Sequence, residues 1–186
     1  MQQVTLIGGS PALASRSSAV LDEVAIRIRN AGIHIERVEV RELDPVALVR
    51  ADFSHPSILA AAGKLATADA VVIATPVYKA SFSGVLKAFF DLLDRDALQG
   101  KPVLPIATGG TIAHLLSIDY SLRPVLCALQ ASHILTGCFV QDRDVLASGP
   151  QRGITDALTR ERIQNQVDTL LASLGVSPVS ELAEAC

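Results

Sequence analysis

Residues 8–18, GGSPALASRSS, gather two adjacent glycines, four serines and an arginine directly behind an apolar run, VTLIG. The chemistry open to such a set is the binding of an oxyanion. A helix N-terminus presents unpaired backbone N–H groups and a partial positive charge, and it attracts anions most strongly where short residues let them come close. Gly8 and Gly9 supply the close turn, Ser10, Ser15, Ser17 and Ser18 add neutral hydroxyl donors, and Arg16 adds a charge-assisted pair. One terminal phosphate monoester suits this set. A bridging pyrophosphate calls for G-x-G-x-x-G, but the run reads Gly8-Gly9-Ser10-Pro11-Ala12-Leu13 and lacks the third glycine. The Walker pattern G-x-x-x-x-G-K-[ST] and the hydrolase pattern G-x-S-x-G are also missing. In a purely structural reading the same serines would cap a helix and decorate a loop.

Two further turns share this character. TPVYKASFSG, 75–84, leaves an apolar run through Pro76, which fixes the exit. Ala80, Ser81 and Gly84 are small enough for backbone to approach a ligand, and Tyr78 offers a flat face to a planar heterocycle. TGGTIAH, 108–114, places Gly109 and Gly110 between Thr108 and Thr111 just before another helical stretch, with His114 at its end. Each turn alone also reads as ordinary punctuation between a strand and a helix.

The elements that must hold these turns are plain from the alternation of strand-length apolar runs with stretches of helical period, the mark of βαβ units on a parallel sheet. Strands are expected at 4–8, 33–40, 70–75, 102–108 and 133–140, and helices at 16–31, 55–67, 83–95, 112–130 and 154–174. The second strand alternates Ile33, Ile35, Val38 and Val40 with polar residues, as an edge strand does, whereas the first and third are continuously apolar. The expected fold is therefore α/β, a three-layer sandwich around a five-stranded parallel sheet of order 2-1-3-4-5. In that order the direction of winding reverses between strands one and three, and ligands bind there, outside the carboxyl ends of the strands. All three turns fall on that edge. A single domain over 1–175 with a fraying tail, 176–186, is expected.

Composition narrows the function. Of 186 residues 49% are hydrophobic and 19% charged, an apolar balance that suggests burial against another subunit. A net charge of −3, with scattered basic residues and no aromatic interleaving, argues against nucleic-acid partners. Cys127, Cys138 and Cys186 form no C-x-x-C pair, so neither structural zinc nor a disulfide scaffold is expected, and no metal site is assigned. No apolar stretch reaches the ~18 residues of a membrane span, and a strand begins too close to Met1 for a signal peptide, so a cytoplasmic location is expected.

On GGSPALASRSS, TPVYKASFSGVLKAFFD and ATGGTIAHLLSIDYSLRPVL the chain resembles the NADPH-dependent FMN reductases of flavodoxin-like fold. The third block is most similar to the flavin reductases that serve alkanesulfonate assimilation. The resemblance implies that Ser10, Ser15, Arg16, Ser17 and Ser18 hold the FMN phosphate. It implies that Pro76, Val77, Tyr78, Lys79 and Ser81 line the isoalloxazine, mostly through backbone, and that Thr108, Gly109, Gly110 and Thr111 close the other side; His114, by its place at the ligand edge, is a candidate flavin or nicotinamide contact. Val77 and Lys79 stand where the family commonly has an acidic residue and an asparagine, so those side-chain contacts do not carry over. It further implies hydride transfer from NADPH to FMN, and release of FMNH2 to a flavin-dependent monooxygenase. That chemistry belongs to the cofactors, which accounts for the lack of an acid, base or nucleophile constellation. An FMN-bound quinone, azo-dye or chromate reductase keeps the fold with another acceptor. A flavodoxin-like electron carrier is a third reading, disfavoured by the low acidic excess.

The segment 111–132 is apolar on nearly all sides, and with the helix at 83–95 it suggests a helical interface of a homodimer or homotetramer. Pro124 lies inside it and deprives the Tyr120 carbonyl of its helical partner, so a kink or π-bulge is expected. The resemblance implies a π-helix here, with Tyr120 stacking on, or gating, the flavin of a neighbouring chain.

Overall fold

A computed structural model describes residues 2–176. Of the expected tail only Val176 falls among them. The chain opens with β1 (Gln3–Gly8), α1 (Arg16–Asn30) and β2 (His34–Glu39). Two short helices follow, α2 (Pro45–Arg50) and α3 (Pro56–Ala66). Next come β3 (Ala70–Tyr78), β4 (Ser81–Phe82), α4 (Gly84–Phe90) and β5 (Pro102–Gly109). The rest contains a π-helical turn (Ile118–Leu122), α5 (Arg123–Ala128), β6 (His133–Ile134) and β7 (Cys138–Gln141). It ends with β8 (Val145–Leu146), β9 (Gly153–Ile154) and α6 (Ala157–Ser173).

The sheet runs β2-β1-β3-β5-β6, parallel throughout that path, with β7 also on β5 and β4 folded back antiparallel on β3. The expected order is thus found, with β2 at the edge. The expected fifth strand is split: β6 pairs with Pro102 and Val103, β7 with Ile106 to Gly109, and the gap falls opposite Leu104 and Pro105. Proline has no N–H to give to a ladder. Gly137 lies in that gap, where a Cβ would stand 2.7 Å from the Ile118 side chain and 3.1 Å from the Pro105 carbonyl.

Apolar cores cover both faces. On one, Val4, Leu6, Val72 and Ile106 pack under α1 and α6 through Val20, Val24, Ile28, Ile163 and Val167. On the other, Ile7, Val71, Ile73 and Val103 meet α3, α4 and α5 through Ile58, Leu65, Leu86, Phe89 and Leu126. An interior strand buried on both faces has no room for alternation, which is why β1, β3 and β5 read as continuous apolar runs.

Two expected helices need correction, and two further features were not expected. The helix expected at 83–95 runs only from Gly84 to Phe90, and Leu86, Phe89, Phe90, Leu92 and Leu93 are buried in the chain's own core, with Val85 partly buried beside them. The helix expected at 112–130 is broken into a 3-10 turn (Ile112–His114), the π-turn and α5. The β8–β9 hairpin and α2 were not expected; their runs are two and six residues long, too short for periodicity to register. Among the described residues no helix is long and apolar enough to cross a membrane.

Candidate functional site

At the carboxyl edge of the sheet the loop after β1 is built from its own hydroxyls. Ser10, buried, accepts the Ala12 N–H at 3.2 Å and closes a tight turn. Ser15 caps α1, its Oγ accepting from the Ser18 N–H at 3.3 Å and sharing a 2.9 Å bond with Ser17 Oγ. No acidic side chain stands in the first turn of α1, so its positive end is left uncompensated.

The neighbouring turns are tied to this loop. Ser83 caps α4 by accepting from Leu86 N–H at 3.2 Å, and its hydroxyl donates to the Gly9 carbonyl. Thr75 Oγ1 accepts the Ser83 N–H at 3.1 Å. Gly9 in turn donates to the Ala74 carbonyl at 2.8 Å, and a Cβ on it would stand 2.8 Å from Leu86 Cδ2. A larger residue there would push on Leu86 of the core, so packing as well as any ligand favours glycine.

β3 and β4 form a two-residue hairpin around Lys79 and Ala80, both left-handed with φ of 50° and 63°. Two consecutive positive φ values define the type I′ turn, which asparagine and glycine adopt most easily. The asparagine common in the resembled family fits that geometry, and here lysine adopts it. Beside the hairpin lies the π-turn, joined to it by a hydrogen bond between Ser81 Oγ and Ser121 Oγ. The Arg123 N–H reaches back to the Ile118 carbonyl, the wide i to i−5 bond of a π-helix. The expected fault thus takes π form, next to Pro124. Tyr120 projects from it at 78% exposure, with Ile112, Leu115 and Leu116 also exposed.

These elements leave an open cleft of about 120 Å³ lined by Ser10, Ser15, Arg16, Pro76, Val77, Tyr78, Thr108 and Gly109, with Ala12, Ala14 and Asp142. Eight of the expected residues therefore converge. The others stand back from the lining. Ser17 turns to Ser15, and Ser18 Oγ accepts from Arg41 at 3.1 Å. Lys79 is exposed on the hairpin turn, and Ser81 faces the π-turn. Gly110 is exposed, Thr111 caps the 3-10 turn by accepting from Ala113 N–H at 3.3 Å, and His114 ends that turn.

Asp142 was missed. It follows β7 directly, and its carbonyl accepts Arg16 Nε at 2.9 Å while its carboxylate lies 3.8 Å from Arg16 Nη1. The rule that singled out the turns after the first, third and fourth expected strands also picks out the turn after the fifth; the signal was present and unused. An exposed ion pair at that separation is weak, so Arg16 is easily drawn to a stronger anion. Among the described residues no three His, Cys, Asp or Glu side chains gather as a metal site would require.

The donor chemistry fits a mononucleotide phosphate at the loop and a planar ring along the β3 exit. The model of the family described as NADPH-dependent FMN reductase matches residues 3–145. An FMN reductase (NADPH) of Pseudomonas putida is 41% identical over 94% of this chain and 89% of its own length. Its Escherichia coli counterpart is 44% identical over 77% and 75%. The apo crystal structure of an NADH:FMN oxidoreductase (EMOB) superposes with a TM-score of 0.82 at 32% identity, covering 97% of this chain and 92% of that one.

Proposed function

The chain belongs to the NADPH-dependent FMN reductase family, and we propose that it reduces FMN as an exchangeable substrate and gives up FMNH2 to a separate flavin-dependent monooxygenase that desulfonates alkanesulfonates. As an enzyme it uses NADPH and FMN. When bound together, these supply hydride transfer from the nicotinamide to the flavin. The protein's part is to hold and orient. The α1 N-terminus and the Ser10 and Ser15 hydroxyls take the phosphate, with Arg16 released from Asp142 to join them. Pro76, Val77 and Tyr78 lie along one edge of the ring, Thr108 and Gly109 along the other. The proton that completes FMNH2 after hydride transfer comes from water in the open cleft, so no side chain there has to donate it.

The observation that carries FMN as the substrate is the name of the 41% and 44% identical relatives, FMN reductase (NADPH), in which FMN is the acceptor reduced; the cleft that would receive it measures about 120 Å³ in one chain, less than the ~300 Å³ or more of a complete ligand pocket. A second copy packed on the exposed 112–120 segment would complete the wall and bring Tyr120 over a neighbouring flavin. The sulfonate branch is supported by the π-turn beside Tyr120, together with the resemblance of 107–126. The reading also places the enzyme in the cytoplasm.

Steady-state kinetics tests it. The NADPH oxidation rate should saturate with added free FMN, and sulfite release by an alkanesulfonate monooxygenase should depend on the reductase. Copurification of one flavin per chain, with a rate indifferent to added FMN but saturating with quinone, would favour the permanently bound alternative.

A further inference from the structure

Behind the serine-rich loop runs a line of charged side chains that flavin binding, as described above, leaves unused. β2 ends in Glu39, whose carboxylate lies so close beneath Gly8 that a Cβ there would collide with it. Its side chain is only 7% exposed, and Arg37 Nε at 2.6 Å and Arg41 Nη1 at 2.8 Å flank it. Arg37 also pairs with Asp22 of α1, and Asp22 with Arg152. Arg41 reaches the other way. Its Nη1 donates to the Ala12 carbonyl at 3.3 Å and to Ser18 Oγ at 3.1 Å. Ala12 stands in the middle of the loop and Ser18 in the first turn of α1, so one guanidinium spans the closure of the loop.

The surroundings make this contact a choice of geometry over full satisfaction. Arg41 Nε is buried without a hydrogen-bond partner, and Glu39 Oε2 has only the 2.8 Å ion pair with Arg41 Nη1; an unpaired buried N–H costs free energy unless something else requires the side chain to be there. Arg16, the other cation of the loop, is exposed and held by Asp142 on the far side of the cleft. Arg41 is therefore the one cation touching the loop from within the fold among the described contacts.

We propose that Arg41 is a positioning residue for the mononucleotide phosphate: it clamps Ala12 to Ser18 and so holds residues 10–18 in the shape that turns their backbone N–H groups and the Ser10 and Ser15 hydroxyls toward the cleft. It does this from behind the loop, without contact with the ring. The proposal rests on the reading of 8–18 as the phosphate loop. All three contacts run through the single nitrogen Nη1, so the three-donor ammonium of lysine, on a shorter stem, substitutes in part.

The test compares FMN with riboflavin, which lacks the phosphate, as acceptor at fixed NADPH. For Arg41→Gln the KM for FMN should rise about tenfold or more. Its kcat at saturating FMN and the KM for riboflavin should stay within about twofold, and Arg41→Lys should recover part of the loss. Removing Arg41 alone strips a partner from a buried carboxylate, so the double variant Glu39→Gln/Arg41→Gln, which keeps the local charge balanced, carries the test if the single variant misfolds. An unchanged FMN KM in a folded variant, or an equal rise for both acceptors, overturns the proposal. Ser15→Ala/Arg16→Ala separates the two levels. If it leaves the ratio of riboflavin KM to FMN KM as in the wild type, the phosphate-loop reading fails. If it collapses the ratio while the Arg41 variants preserve it, only the role of Arg41 fails.

Discussion

At the scale of single residues, the site is a matter of which hydroxyls and amides face the cleft. Ser10, Ser15, Arg16, Pro76, Val77, Tyr78, Thr108 and Gly109 were legible as the lining of one cleft because the turns that follow the strands of a parallel sheet meet at its carboxyl edge. Ser17 and Ser18 were legible as members of the loop but not by direction, since consecutive helical residues point to different faces and spacing alone does not say which is the cleft's. Asp142 and Arg41 escaped because they meet the loop only through contacts between distant segments. The cysteines give a test at this scale. Cys138 is buried, and burial pushes its thiol up to about 11, so its thiolate appears only in strongly alkaline solution. Cys127 is exposed. Iodoacetamide at pH 8 should therefore label Cys127 in the native protein and spare Cys138, as read by peptide mass spectrometry; comparable labelling of both would mean that the β5–β7 region opens readily.

At the scale of elements, continuous apolar runs fixed the interior strands, and the alternation in β2 fixed the edge. Patterning failed where backbone chemistry overrode it. Pro105 and Gly137 split an apolar run that reads as one strand, and the 111–132 run reads as one helix although Pro124 and the π-turn divide it. The Lys79–Ala80 turn was invisible because neither residue advertises positive φ. Left-handed conformation costs a residue with a Cβ roughly 1–2 kcal/mol, so Ala80→Gly should stabilise the fold, by about 0.5–1 kcal/mol after the entropy glycine loses on folding. The urea midpoint should rise with unchanged slope. A fall in midpoint would mean that the turn is not left-handed at position 80.

At the scale of the molecule, order 2-1-3-4-5 was legible because chain connectivity and burial pattern together leave few alternatives, whereas the burial of 83–95 in the chain's own core was not, since apolar content alone does not distinguish a residue facing its own core from one facing a partner. Ile112, Leu115, Leu116 and Tyr120 form a run of exposed apolar side chains around the π-turn, one of several exposed apolar stretches that include Val46, Val49 and Phe53. A Leu116→Lys substitution, at a side chain 56% exposed in one chain, should leave the monomer folded and shift sedimentation toward a single chain; unchanged sedimentation would remove this segment from any subunit contact. Everything said of function depends on a phosphate monoester being held where β1 gives way to α1. Equilibrium titration of flavin fluorescence measures that directly: FMN should bind about tenfold or more tighter than riboflavin to the wild-type protein, as charge-assisted bonds to a phosphate require, and Ser15→Ala/Arg16→Ala should erase most of that difference by weakening FMN alone. Equal affinity of the wild-type protein for FMN and riboflavin would contradict it.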